Sequence, residues 1–170
     1  MTDDAHDAHD AHDRGAAPRG SVEFRTSTDA EARALLARQH VGRIAFSLHD
    51  HVDIEPVHYV LDGPWIYGRT SPGRKLATLA HHPWCAFEVD DVRGPLDWES
   101  VVVHGTFYRL DPGGPEHEAH EHALVLVRAL VPHSLEAGDP TPHRTVLFRI
   151  HANEMHGRAA RPLEAHDPGS

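Results

Sequence analysis

Between Val41 and His151 the chain presents six runs rich in β-branched and aromatic residues, separated by turn-forming residues and by only short stretches of helical period. Alternation of side chains across a pleated backbone marks such runs as strands, and strands with unpaired edges must find partners. In the first run, Val41 to Ser47, Ile44, Phe46 and Leu48 fall on one side and Arg43, Ala45 and Ser47 on the other. The remaining runs are Val52 to Val60, Trp65 to Arg69, Trp84 to Asp90, Ser100 to Leu110 and Thr145 to His151. His49-Asp50-His51, Leu61-Asp62-Gly63-Pro64, the Gly94-Pro95 loop and Asp111-Pro112-Gly113-Gly114-Pro115 supply the turns. The expected fold is therefore mainly β: a six-stranded antiparallel barrel, closed or nearly so, with short helices between strands.

Three helices are expected. Thr28-Asp29-Ala30-Glu31 has the spacing of a capping box, and Ala32, Leu35 and Leu36 recur on one face of a helix ending near His40. Arg74 to His81 forms a second, stopped by His82-Pro83, and Glu116 to Val131 a third. A chain of 170 residues suits one domain, placed at residues 23–157. Residues 1–22 contain Ala-His-Asp three times in succession and read as a disordered His/Asp-rich tail; residues 158–170 read as a second polar tail. His6, His9 and His12 are competent metal ligands without a scaffold, so no metal site is assigned.

The formal charge of −10 argues against a nucleic-acid partner, and no apolar run approaches the ~20 residues of a membrane helix. The N-terminus lacks a secretory signal pattern, and the single Cys85 cannot form an internal disulfide, so a cytoplasmic location is expected. Against this acidic background, Thr70-Ser71-Pro72-Gly73-Arg74-Lys75 stands out. Two hydroxyls and two cations meet a helix start, whose free N–H groups favour anions, so the segment reads as a phosphate seat. Lys75 is its foremost candidate, because the adjacent Arg74 cannot point the same way on a helix. Pro56 adds a second signal: lacking an N–H inside a strand, it belongs at an edge, a bulge or a place where backbone faces a ligand.

Gly42-Arg43-Ile44-Ala45-Phe46, Glu55-Pro56-Val57-His58-Tyr59-Val60, Ile66-Tyr67, the Thr70 to Leu76 segment, His82 to Asp90 and Trp98 to Gly105 occur in an order that resembles a known family. It is the pyridoxamine 5'-phosphate oxidase-like flavin-binding split-barrel superfamily, within it the short subgroup with nitroimidazole reductase-like members. The likeness spans roughly residues 28 to 155. It implies an FMN-binding homodimer with the flavin at the subunit interface. Thr70, Ser71, Arg74 and Lys75 would hold the phosphate, Pro56, Val57, His58 and Tyr59 would lie along the isoalloxazine, and Trp98, Glu99 and Ser100 would approach from the partner chain. His58 is the candidate catalytic group, able to hydrogen-bond the flavin or move a proton near neutral pH.

The implied function is an FMN-dependent oxidoreductase passing electrons from a reduced donor to a small, planar acceptor. Vitamin B6 oxidation is not expected, because the chain ends in Gly157-Arg158-Ala159-Ala160-Arg161-Pro162 and a polar tail. Nor does a His precede the phosphate turn, as it does in many nitroimidazole reductase-like members; Gly68-Arg69 stands there. Two alternatives remain: a haem or deazaflavin coenzyme in the same barrel, with His58, His104 or His151 as an iron ligand, or a non-catalytic flavin-binding protein.

Overall fold

Six strands close into an antiparallel ring in the computed structural model, which describes residues 21–48 and 50–163. The proposed tail histidines His6, His9 and His12, the turn residue His49, the side chain of Leu48 and residues 164–170 lie outside what is described. The ring is a meander of β2 (Val41–Leu48), β3 (His51–Asp62) and β4 (Trp65–Thr70), joined to β5 (Trp84–Gly94), β6 (Asp97–Leu110) and β7 (Val146–Pro162). β2 pairs with β5, β5 with β6, β6 with β7 and β7 with β4, so the strands form a closed circuit. Helices α1 (Asp29–Arg38), α2 (Arg74–His81) and α3 (His117–Leu130) occupy the expected places, and the Thr28 capping box is formed in full.

A seventh strand, β1 (Val22–Ser27), was not expected, and β7 runs past the anticipated boundary at residue 157. The two departures have one cause. β4 accompanies β7 only from Val146 to His151, and from Gly157 to Pro162 β1 takes the vacated side while β6 continues along the other. The second half of β7 carries no strand-like alternation because small residues are needed there. A Cβ on Gly157 would stand 2.6 Å from the Cβ of Ser27 and 3.5 Å from that of Ala32, and Ala159 and Ala160 are buried beside it. The hairpin between β5 and β6 is also tighter than expected, so Trp98, Glu99 and Ser100 are strand residues paired with Val92, Asp91 and Asp90.

One core fills the barrel: Ile44, Phe46, Val57, Tyr59, Phe87, Val103 and Phe148 point inward, and Ala32, Leu35 and Leu36 of α1 plug one end. Leu76 and Leu79 anchor α2 to the same core, which fixes the start of that helix against the wall. A smaller cluster seats Ala123 and Val127 of α3 on Tyr67, Leu110 and Leu147. Burying side chains of this size is worth about 1.5–3 kcal/mol each, so both helix attachments are strong.

Candidate functional site

The turn from β4 into α2 builds the site. Thr70 ends β4 in a buried position, Ser71 is half-buried, and Lys75 is drawn inside with only 5% of its surface exposed. Neighbouring helix positions diverge, as expected, and Arg74 is 73% exposed. The two cations nevertheless converge on one strand: Lys75 Nζ donates to Glu55 Oε2 at 2.8 Å and Arg74 Nη2 to Asp53 Oδ2 at 2.8 Å. Together with Thr70, Ser71, Pro72 and Gly73 they line a cavity of about 170 Å³, whose opposite wall is Glu55, Pro56 and Val57.

Pro56 stands where its missing donor costs nothing. Pairing of β3 with β4 begins only at Tyr59, so the stretch upstream has no strand on that side among the described residues. Tyr59 N–H bonds the carbonyl of His40, and in an antiparallel ladder backbone groups alternate in direction. Pro56 and His58 therefore turn their backbone away from β2, toward the cavity side. Of the four residues expected along a ring, Pro56 and His58 are exposed, whereas Val57 and Tyr59 send their side chains into the core. The Tyr59 ring is wholly buried, edge-on to Phe87, and its hydroxyl donates to Leu36 O at 2.7 Å. A ligand contact through that side chain is excluded by its packing.

Two residues of this site escaped the sequence reading. His143 and Arg144 line the cavity from the loop between α3 and β7, some seventy residues from the β4–α2 turn. Arg144 Nη1 lies 3.1 Å from His58 Nδ1. A guanidinium only donates, so His58 must accept at Nδ1 and carry its proton on Nε2. Burial and then the charges of Arg144 and Arg69 push the His58 pKa below its ordinary value, keeping the ring neutral at pH 7. The loop is fastened by Arg69, which grips Asp139 through two hydrogen bonds and Thr141 Oγ1 at 2.7 Å. Gly68 is required next to it: a Cβ there would meet the His58 carbonyl at 2.8 Å and Phe148 Cζ at 2.5 Å.

Trp98, Glu99 and Ser100 lie far from this cavity within one chain. Thr70 pairs with Val146 and Trp98 with Ala160, so the β7 ladder separates them by roughly 46 Å of strand at ~3.3 Å per residue. Trp98 packs tilted against Phe24, with 6.5 Å between ring centroids. Glu99 draws in Arg38, Arg93 and Arg161 at 2.8, 3.0 and 3.2 Å. Burial pushes its carboxyl up, but hydrogen bonds from Arg93 and Arg38 prevail and hold it below the usual carboxylate range.

The other singled-out side chains have packing roles. Trp65 lies under the Arg149 guanidinium at 3.8 Å and against His151 and Tyr108, away from the cavity. His104 faces His156, and His151 bonds Asn153 Oδ1 at 2.6 Å. His122 meets Asp62 Oδ2 at 2.7 Å, tying α3 to the end of β3. Among the described residues no helix is long and apolar enough to cross a membrane.

Comparison with known proteins places this geometry in context. The family described as Pyridoxamine 5'-phosphate oxidase matches residues 28–159. An uncharacterised protein of Rhizobium meliloti is 26% identical over 145 residues, covering 80% of this chain and 95% of its own. A solved FAD-binding protein of Mesorhizobium loti superposes with a TM-score of 0.66 at 25% identity, covering 83% of this chain and 99% of its own. A candidate 5-nitroimidazole antibiotic resistance protein of Bacteroides thetaiotaomicron has the same fold, with a TM-score of 0.63 at 13% identity and coverage of 84% and 90%.

Proposed function

Because the chain belongs to the pyridoxamine 5'-phosphate oxidase family, whose fold binds flavin, we propose that it is an FMN-dependent oxidoreductase acting on a small, planar acceptor. The observation that carries this reading is the buried Lys75 ammonium set beside Thr70 and Ser71 at the start of α2. Those residues fit a phosphate: a charged donor, two hydroxyls and helix N–H groups satisfy several of its oxygens by charge-assisted hydrogen bonds. His143 and Arg144 add donor groups from the loop between α3 and β7.

A cavity of about 170 Å³ suits the phosphate end alone, being smaller than the ~300–1,000 Å³ usual for small-molecule pockets. The flavin ring would lie outside it along the exposed Pro56 and His58, and a second copy of the chain would cover it, bringing Trp98, Glu99 and Ser100. When bound, the flavin supplies the hydride and electron chemistry. This chain's own residues anchor the phosphate, present the β3 backbone at Pro56, where no strand pairs on the β4 side, and hold a proton on His58 Nε2 available for donation. A reducing cytoplasm suits the free Cys85.

The FAD-binding relative makes the identity of the flavin the first question for experiment. Mass spectrometry of ligand released from purified protein, followed by Lys75→Ala, tests the reading. FMN should be found, and the substitution should weaken its retention about 10- to 100-fold, as expected for loss of a hydrogen bond to a charged group. Release of FAD would replace FMN in the proposal, and unchanged retention by the variant would remove the phosphate assignment.

A further inference from the structure

We propose that Glu55 and Asp53 form a displaceable carboxylate latch on the phosphate cradle, so that an incoming phosphate monoester dianion exchanges for them. The proposal rests on the cradle being the anion site of the proposed function, and adds how that site is regulated. Asp53 and Glu55 lie two apart on β3, hence on the same face of the strand, and Arg74 and Lys75 are consecutive at the start of α2. Each carboxylate meets one cation at 2.8 Å.

The pairs are asymmetric in burial. Lys75 is enclosed and cannot turn to water, so it requires a counter-ion wherever the charged form persists. Glu55 and Asp53 keep 47% and 37% of their side chains exposed, so either can rotate into solvent and be rehydrated at small cost. The carboxylates thus occupy the same donors that a phosphate would take, without being fixed there themselves. Two leaving charges of −1 are matched by one arriving charge of about −2, which conserves the local balance and favours a dianion over a singly charged or neutral ligand. A monoanion, by contrast, would replace one partner and leave the other pair intact, so chloride or a lone carboxylate would open the latch only in part.

The test is calorimetric titration of the full-length protein, freed of any retained flavin by dialysis, with inorganic phosphate at pH 8, alongside retention of FMN before that step, for the parent, Glu55→Gln, Asp53→Asn, Lys75→Ala and the two double variants that add Lys75→Ala. Glutamine retains an acceptor for Lys75 but removes the competing charge, so Glu55→Gln should bind phosphate about threefold to tenfold more tightly. Asp53→Asn, at the more exposed pair, should tighten it less and guards against a folding defect at position 55. Lys75→Ala should abolish the gain in either background. Equal or weaker phosphate binding by Glu55→Gln overturns the latch, as does phosphate binding that ignores Lys75 or is absent from all variants. Tightening of phosphate in a protein that retains no flavin supports the latch and rejects the flavin reading, so the two fail separately.

Discussion

Arg69 on β4 and Asp139 in the loop between α3 and β7 form an ion pair in which the two side chains keep only 3% and 4% of their surface exposed. Asp139 also accepts from the backbone N–H of Leu135 and of Thr141, each at 2.8 Å, so one carboxylate organises both sides of its loop. That organisation matters to the site because the same loop delivers His143 and Arg144 to the cavity. Leu135 and His133 adopt left-handed backbone, with φ of 62° and 63°, which side chains of this kind populate only when held there.

Removing either partner should release the loop while leaving the barrel closed. Arg69→Ala and Asp139→Asn are expected to speed proteolysis within residues 131–145 and weaken flavin retention, with little change in the far-ultraviolet spectrum. The Arg69 hydrogen bond, with those from Leu135 and Thr141, outweighs burial and holds the Asp139 carboxyl well below its ordinary range. Because the native pKa is depressed, the contribution is complete above the unfolded value of about 3.9 and is lost only as pH falls through the lower native value. Amide exchange in the loop should therefore stay protected at pH 4 in the parent and be fast at that pH in Asp139→Asn; equal protection in both would contradict the role given to the pair.

Tyr59 offers a test of the division between wall and site. Its hydroxyl bonds the Leu36 carbonyl inside the barrel, and its ring touches no cavity surface. Tyr59→Phe leaves that carbonyl short of a partner and should cost about 1 kcal/mol, with 1–3 kcal/mol as the range for an orphaned buried group. Urea denaturation would show it as a lower midpoint at unchanged slope. Flavin affinity should not move; a several-fold loss without a change in stability would return Tyr59 to the site.

Much of this molecule was legible in its sequence, for reasons that particular residues make plain. Alternation in β2 and β6, the capping box at Thr28 and the stop at His82-Pro83 are local signals, and each marks its element correctly. The run of hydroxyls and cations from Thr70 to Lys75 was equally visible because it is contiguous. β1 and the end of β7 were missed: the alternation of Val22 to Ser27 is only six residues long and directly follows a low-complexity run, and close approach to β1 and α1 selects small residues at Gly157, Ala159 and Ala160. His143 and Arg144 left no trace, because only the long-range pair of Arg69 and Asp139 carries them to the cavity. Tyr59 shows what a family likeness leaves open: it names a stretch, whereas alternation along β3 decides which side chains leave the core.

Cys85 should be chemically silent in the native protein. Burial pushes its thiol up to about 12, and its Sγ lies 3.7 Å from the carbonyl of Gly105. The thiolate is the reactive form, so at pH 8 the native protein should resist an aromatic disulfide reagent, and one thiol per chain should appear only in denaturant. Stoichiometric labelling of the folded protein at the rate of a free thiol would show that the strand pair β5–β6 opens far more readily than its packing allows.

His58 gives the sharpest readout of how the loop tunes the site. Burial and the charges of Arg144 and Arg69 lower its pKa, so in the window below the ordinary value of about 6.5 the unfolded chain binds more protons than the native one. Stability from this group is thus fully present above that value and declines as pH falls through it, opposite in sign to a histidine held by a carboxylate. In Arg144→Ala the nearest repelling charge is gone, and the hydrogen bond that fixes the proton on Nε2 goes with it. Proton NMR of the His58 ring should give a titration midpoint below 6.5 in the parent and a higher one in the variant, with a shift in the ring nitrogen signals as the second tautomer becomes populated. A midpoint that stays in place would mean that Arg144 touches His58 without governing it, and that burial alone keeps the ring neutral.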